Sequence, residues 1–154
     1  MKVFEAPYLA KNVKFAIVAS RFNEIVTKGL LDGAASTFRR HGVEEKNLTL
    51  VWVPGAWEIP VVAKRLAASG QYDSIICLGC VIKGQTSHFE YVAGQAASGI
   101  MSASLETNVP LIFGVLTTEN LEQALARSGA TVGNKGAEAA AAALEMANLF
   151  KLLP

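Results

Sequence analysis

The chain has 154 residues, with Lys plus Arg 14 against Asp plus Glu 13 and a net charge of +1. One domain of this length buries roughly 70% of its unfolded surface, so a single domain over residues 1–154 is expected. The balanced charge, without like-charge runs, excludes a nucleic-acid stripe and a polybasic membrane patch.

Residues 1–12 precede the first apolar run and are expected to pack on a neighbouring subunit. Met1 to Leu9 carries Glu5 and Pro7 and lacks the apolar centre and cleavage site of a signal peptide, so a cytoplasmic protein is expected. Short runs rich in Val, Ile, Leu and Phe follow at Lys14–Ser20, Leu48–Val53, Ser74–Cys80 and Leu111–Leu116. They are nearly continuous rather than alternating, which predicts strands buried on both faces.

Helical patterns lie between the strands. Val26, Leu30, Ala34 and Phe38 recur every fourth residue, and Arg39, Arg40, His41 and Gly42 then mark a helix end. Pro60 suits a first helical turn, and the helix that it opens runs through Ala63, Leu66 and Ala67 to Gly70. Ser87 followed by Glu90 spells a capping box that puts His88 at the first position of a long helix ending before Pro110. Thr117 and Thr118, with Glu119 and Glu122 behind them, predict another helix start, and Gly133 and Asn134 lead into the last helix. This order predicts a three-layer α/β/α, flavodoxin-like doubly wound four-stranded parallel sheet.

The longest uncharged run, Tyr91 to Leu105, contains Gln95 and three serines and falls short of the ~20 residues of a membrane span. High apolar content concentrated in small residues such as Ala139–Ala143 favours an oligomer, with a plain alanine-rich helix as the alternative. Cys77 and Cys80 form a C-x-x-C, but within a strand they point to opposite faces, roughly 10 Å apart, too far for a disulfide or a shared metal. With His41 and His88 the only histidines, no zinc cluster is expected.

Ligands of such sheets bind beyond the carboxyl ends of the strands. Phe22 and Asn23 follow the first strand, where Phe22 reads equally as a stacking platform or a cap over the helix start. Pro54-Gly55-Ala56-Trp57-Glu58 follows the second, and Glu58 either binds a polyol or complements the helix dipole. Gly84, Gln85, Thr86 and Ser87 feed amides and hydroxyls into a helix N-terminus suited to phosphate. There the dipole favours the neutral imidazole that a proton shuttle requires, although His88 also fits a structural role beside Glu90. Periodicity alone makes Phe113 a core residue, and Arg127 and Lys135 surface charges.

In order, Ile17–Asn23, Val53–Pro60, Leu78–Tyr91, Phe113–Thr118 and Gly133–Gly136 resemble the lumazine synthase family, and the likeness runs from Phe15 through Phe150. The resemblance implies a transferase of riboflavin biosynthesis that joins 5-amino-6-ribitylaminouracil to 3,4-dihydroxybutanone phosphate without metal or organic cofactor. It implies that the pyrimidine stacks on Phe22 near Asn23, with the backbone of Val81 and Ile82 reading its polar edge. Ala56, Trp57 and Glu58 would follow the ribityl chain, Gln85, Thr86 and Arg127 the phosphate, and His88 the proton transfer. Cys80 and Lys135 are further expected substrate contacts.

By the same resemblance, Phe113 and Arg127 reach the site from a neighbouring subunit of a pentamer or of a sixty-subunit capsid of pentamers. The short connection from Gly129 to Gly136 favours the capsid. Cys80, Gln85 and Ser87 sit where the family varies, and Lys83 stands where arginine is common. Three rivals remain: a flavin-carrying electron-transfer protein, an archaeal-type riboflavin synthase working on two lumazines, and a purely structural shell subunit.

Overall fold

The computed structural model describes residues 1–154. Its strands are β1 (Phe15–Ser20), β2 (Leu48–Val53), β3 (Ser74–Ile82) and β4 (Leu111–Thr118). The helices are α1 (Glu24–Arg40), α2 (Ile59–Ala68), α3 (His88–Thr107), α4 (Leu121–Arg127) and α5 (Lys135–Leu152). All strand pairs are parallel, in the order β2-β1-β3-β4. The expected three-layer, doubly wound sheet is therefore the fold.

Alternation along the central strands builds a core on each face. Phe15, Ile17 and Ala19 of β1 and Ile76, Leu78 and Cys80 of β3 pack with residues of α1, α4 and α5. Ala16 and Val18 of β1 and Ile75, Cys77 and Val81 of β3 pack with α2 and α3 on the opposite face. Cys77 and Cys80 thus lie in different cores, both as free thiols.

The alanine-rich stretch of α5 packs within its own chain, because Ala139, Ala140 and Ala143 are buried in the same core as Val26, Leu30 and Phe38 of α1. Small residues let two helix backbones approach closely. Gly136, at the start of α5, lies where any Cβ would overlap the Leu30 carbonyl of α1. The exposed apolar surface consists instead of larger side chains, including Met101, Leu105, Phe113, Leu121 and Val132.

Residues 7–12 lie along the C-terminal half of α5. Asn148 Nδ2 donates to the carbonyls of Pro7 (3.1 Å) and Leu9 (2.7 Å), and Lys151 Nζ donates to that of Asn12 (2.8 Å). No helix is long and apolar enough to cross a membrane.

Two helix starts differ from the sequence expectation. Ser87 precedes α3 with φ −69° and ψ 0° and makes no side-chain cap bond, so the capping box is not formed. A serine oxygen reaches the next amides from extended backbone, which Ser87 does not adopt. His88 is nevertheless the first residue of α3. Thr117 and Thr118 extend β4, paired with Val81 and Ile82 of β3. The cap of α4 is Asn120, whose side chain accepts from the Gln123 amide at 2.9 Å.

Candidate active site

The strand order reverses its direction of growth between β1 and β3, since β2 was added on one side and β4 on the other. Helices that leave β1 and β3 from their carboxyl ends go to opposite faces and open a crevice there. A cavity of about 900 Å³ occupies this place, within the ~300–1,000 Å³ typical of small-molecule sites.

From β1 the cavity receives Phe22, which is 72% exposed and so is no buried cap. Asn23 adopts left-handed backbone, φ 59° and ψ 46°, at the start of α1. Its Nδ2 donates to the Cys80 carbonyl at 2.9 Å, tying the first loop to β3. Backbone amides of Arg21 and Phe22 donate to the Val53 and Pro54 carbonyls at 2.8 and 3.0 Å, so the first loop is also joined to the second.

The loop after β2 contributes buried Ala56, exposed Trp57 and half-buried Glu58. Glu58 Oε2 accepts from the Gly55 amide at 2.9 Å, which turns the chain back and leaves Oε1 to accept from a ligand hydroxyl. Here the carboxylate does part of the capping that the sequence suggested for it, and it also lines the cavity.

The end of β3 supplies Cys80, Val81 and Ile82, and the segment into α3 supplies Gly84, Thr86 and His88. Thr86 and His88 are exposed, and α3 begins at His88. Gln85 is exposed in the same segment but does not line the cavity. On α3, Phe89, Tyr91 and Val92 complete the wall. No strand-end or capping pattern in the sequence marks these three, although His88, Tyr91 and Val92 stand at helical i, i+3 and i+4 spacing and so share one face.

Five expected residues do not line this cavity: Asn23 and Gln85, whose neighbours in the chain do, and Phe113, Arg127 and Lys135 on β4, α4 and α5. Phe113 sits on the outermost strand between buried Leu111 and Val115, yet is 38% exposed, because an edge strand is only partly covered by helix. The periodicity reading as a core residue is corrected accordingly. Arg127 Nη1 donates to the Gln123 carbonyl at 3.0 Å, and Lys135 pairs with Glu138 at 3.0 Å; both cations are exposed.

Burial pushes the Cys77 thiol up to about 12 and the Cys80 thiol up to about 11, against an ordinary 9.0. A raised folded-state value means the unfolded chain ionises first. The stability linked to these thiols is complete below pH 9.0 and is lost as pH climbs towards about 11 to 12. The urea midpoint is therefore expected to fall across that alkaline window. A Cys77→Ala/Cys80→Ala double variant should show a shallower fall, and equal slopes would refute the assignment.

The sheet order, the switch-point cavity and the aromatic, carboxylate and imidazole groups around it all lie within one matched region. A model of the 6,7-dimethyl-8-ribityllumazine synthase family covers residues 12–151 of the 154, and the chain belongs to that family of enzymes.

Proposed function

We propose that the chain is a cofactor-independent transferase that condenses 5-amino-6-(D-ribitylamino)uracil with 3,4-dihydroxy-2-butanone 4-phosphate. The product is 6,7-dimethyl-8-ribityllumazine, with inorganic phosphate and water released. The observation that supports this reading is a single cavity at the strand switch point, lined by exposed Phe22, by Glu58 and by His88.

In this reading the uracil stacks on Phe22, with Asn23 and Cys80 beneath it, and main-chain groups of Val81 and Ile82 read its polar edge. The ribityl chain runs past Ala56 and Trp57 to the free oxygen of Glu58. Phosphate rests on Gln85 and Thr86, where amides at the start of α3 and the helix dipole favour an anion.

The substrate amine attacks the ketone carbonyl, and loss of water gives an imine. A proton then leaves the adjacent carbon as the neighbouring carbon–oxygen bond to phosphate breaks, and the resulting enol returns to a ketone. The ribitylamino nitrogen closes on that ketone with loss of a second water. His88 carries protons between these positions. Holding both reactants together supplies up to ~7–11 kcal/mol, more than the ~3–5 kcal/mol of one acid–base group.

Phe113, Arg127 and Lys135 lie outside their own chain's cavity, and we read them as completing the site of an adjacent protomer. The functional unit is then a homo-oligomer, a pentamer or a sixty-subunit capsid of pentamers, and the exposed Phe113 and Leu121 suit such a contact. Residues 1–5 are exposed and without secondary structure of their own, and we read them, at the head of the 1–12 segment, as reaching the neighbour as well.

Incubation of purified protein with both substrates should produce the absorbance and fluorescence of the lumazine, and neither substrate alone should do so. Absence of product from the assembled protein would sink the reading; a protein that purifies yellow and bleaches on reduction would favour a flavin carrier. Arg127→Ala should raise KM for the phosphosugar by roughly ten- to a hundredfold while sparing the pyrimidine, because the guanidinium answers only the phosphate.

A further inference from the structure

The segment between α4 and α5 carries an exposed cation at each end, Arg127 and Lys135. One side chain determines its shape. Asn134 Nδ2 donates to the Gly29 carbonyl (2.8 Å) and the Ser128 carbonyl (3.2 Å). Its Oδ1 accepts from the amides of Gly136 (2.8 Å) and Ala137 (3.1 Å), capping α5.

The side chain's acceptor and donor groups are thus all engaged, and they join three elements. Ser128 and Asn134 also form an isolated antiparallel bridge, and the Gly129 amide donates to the Gly133 carbonyl at 2.9 Å. Gly129 and Gly133 adopt φ of +114° and +98°, which glycine alone takes freely. Arg127 immediately precedes one member of the bridged pair and Lys135 immediately follows the other.

The surface of α1 is cut to receive this arrangement. At Gly33 a Cβ would overlap the Asn134 amide group, and at Gly29 it would lie 2.5 Å from the Ser128 carbonyl oxygen. Glycines four residues apart on a helix share a face, so together they form a slot for Asn134 and the Ser128 peptide. A cap alone needs only the Oδ1 bonds; the two donor bonds to α1 and to Ser128 serve to fix the segment.

We propose that Asn134 is a positioning residue that holds Arg127 where its guanidinium meets the sugar phosphate in the adjacent protomer's site. This rests on the role read for Arg127 above. The backbone that carries this cation is fixed by Asn134 through the adjacent Ser128 peptide.

Asn134→Ser keeps a capping oxygen but removes both donors. In the assembled enzyme it should raise KM for the phosphosugar roughly tenfold and leave KM for the pyrimidine within about twofold. In an Arg127→Ala background the same substitution should have little further effect, since it acts through the guanidinium. Gly33→Ala, which displaces Asn134 without altering its chemistry, should reproduce the selective KM change and serves if Asn134→Ser does not fold. An equal rise in both KM values, or independent multiplication with Arg127→Ala, overturns the proposal and leaves Asn134 a structural residue. If Arg127→Ala shifts the phosphosugar KM and neither Asn134→Ser nor Gly33→Ala does, the proposal fails alone. If Arg127→Ala shifts nothing, the role read for Arg127 fails first and the proposal with it.

Discussion

His88→Ala is expected to lower kcat by roughly 10²- to 10⁴-fold while leaving a rate well above that of the uncatalysed condensation. The range follows from what the imidazole does and does not supply. In the proposed reaction it moves protons, but the nucleophile is the substrate's own amine, and the imidazole does not bring the reactants together. The walls formed by Phe22, Ala56, Trp57 and Ile82 remain after the substitution.

Because His88 is exposed at the first position of α3, its removal leaves the cores intact, and stability should change by no more than about 0.5 kcal/mol. Single-turnover measurements at saturating concentrations of both substrates isolate the effect. A rate equal to that of the unmodified enzyme would eliminate the proton-transfer role, and a matching loss of stability would make His88 structural.

The sheet was legible in the sequence for a physical reason. Strands packed between helix layers carry few polar residues, so β1, β2, β3 and β4 stood out as apolar runs whose starts lay within a residue of those observed, although only β1 and β3 are covered on both faces and the edge strands β2 and β4 are partly exposed. Their ends were less visible. Thr117 and Thr118 have the hydroxyls of helix caps and the β-branched shape of strand residues, and pairing with Val81 and Ile82 decides for the strand.

The cavity lining was legible where its residues follow strand ends, as Phe22, Glu58 and His88 do. It was illegible where geometry is set by distant partners. Asn134 read only as the approach to a helix, because its bond to Gly29 spans 105 residues. Ser87 and Glu90 matched a capping pattern, yet the backbone angles at Ser87 are not encoded by that pattern. Phe113, Arg127 and Lys135 carry no local signal of function at all; only the family resemblance drew attention to them.

Gly136→Ala tests the packing of α1 on α5, and here two effects predict opposite signs. Helix propensity favours alanine over glycine by about 1 kcal/mol, so an open site would be stabilised. At Gly136, however, the added methyl would overlap the Leu30 carbonyl oxygen, with the Leu30 carbonyl carbon and Cα next nearest at 2.6 and 2.8 Å. Those atoms belong to the backbone of α1 near its middle and are held by its own hydrogen-bonded turns, so no side-chain rotation relieves the contact. The helices must separate, which loosens the core shared by Leu30, Phe38, Ala140 and Leu144. Overpacking of this kind costs ~1–3 kcal/mol, and more where the neighbour cannot yield. The net change should be a destabilisation of about 3 kcal/mol or more, or a drop in Tm on the order of 10 °C for a chain of this size. Gly33→Ala should cost less, since it displaces the Asn134 side chain rather than a helix backbone. Denaturant midpoints of the two variants decide the matter: a Gly136→Ala protein as stable as the parent would mean that α1 and α5 are not in the close contact described.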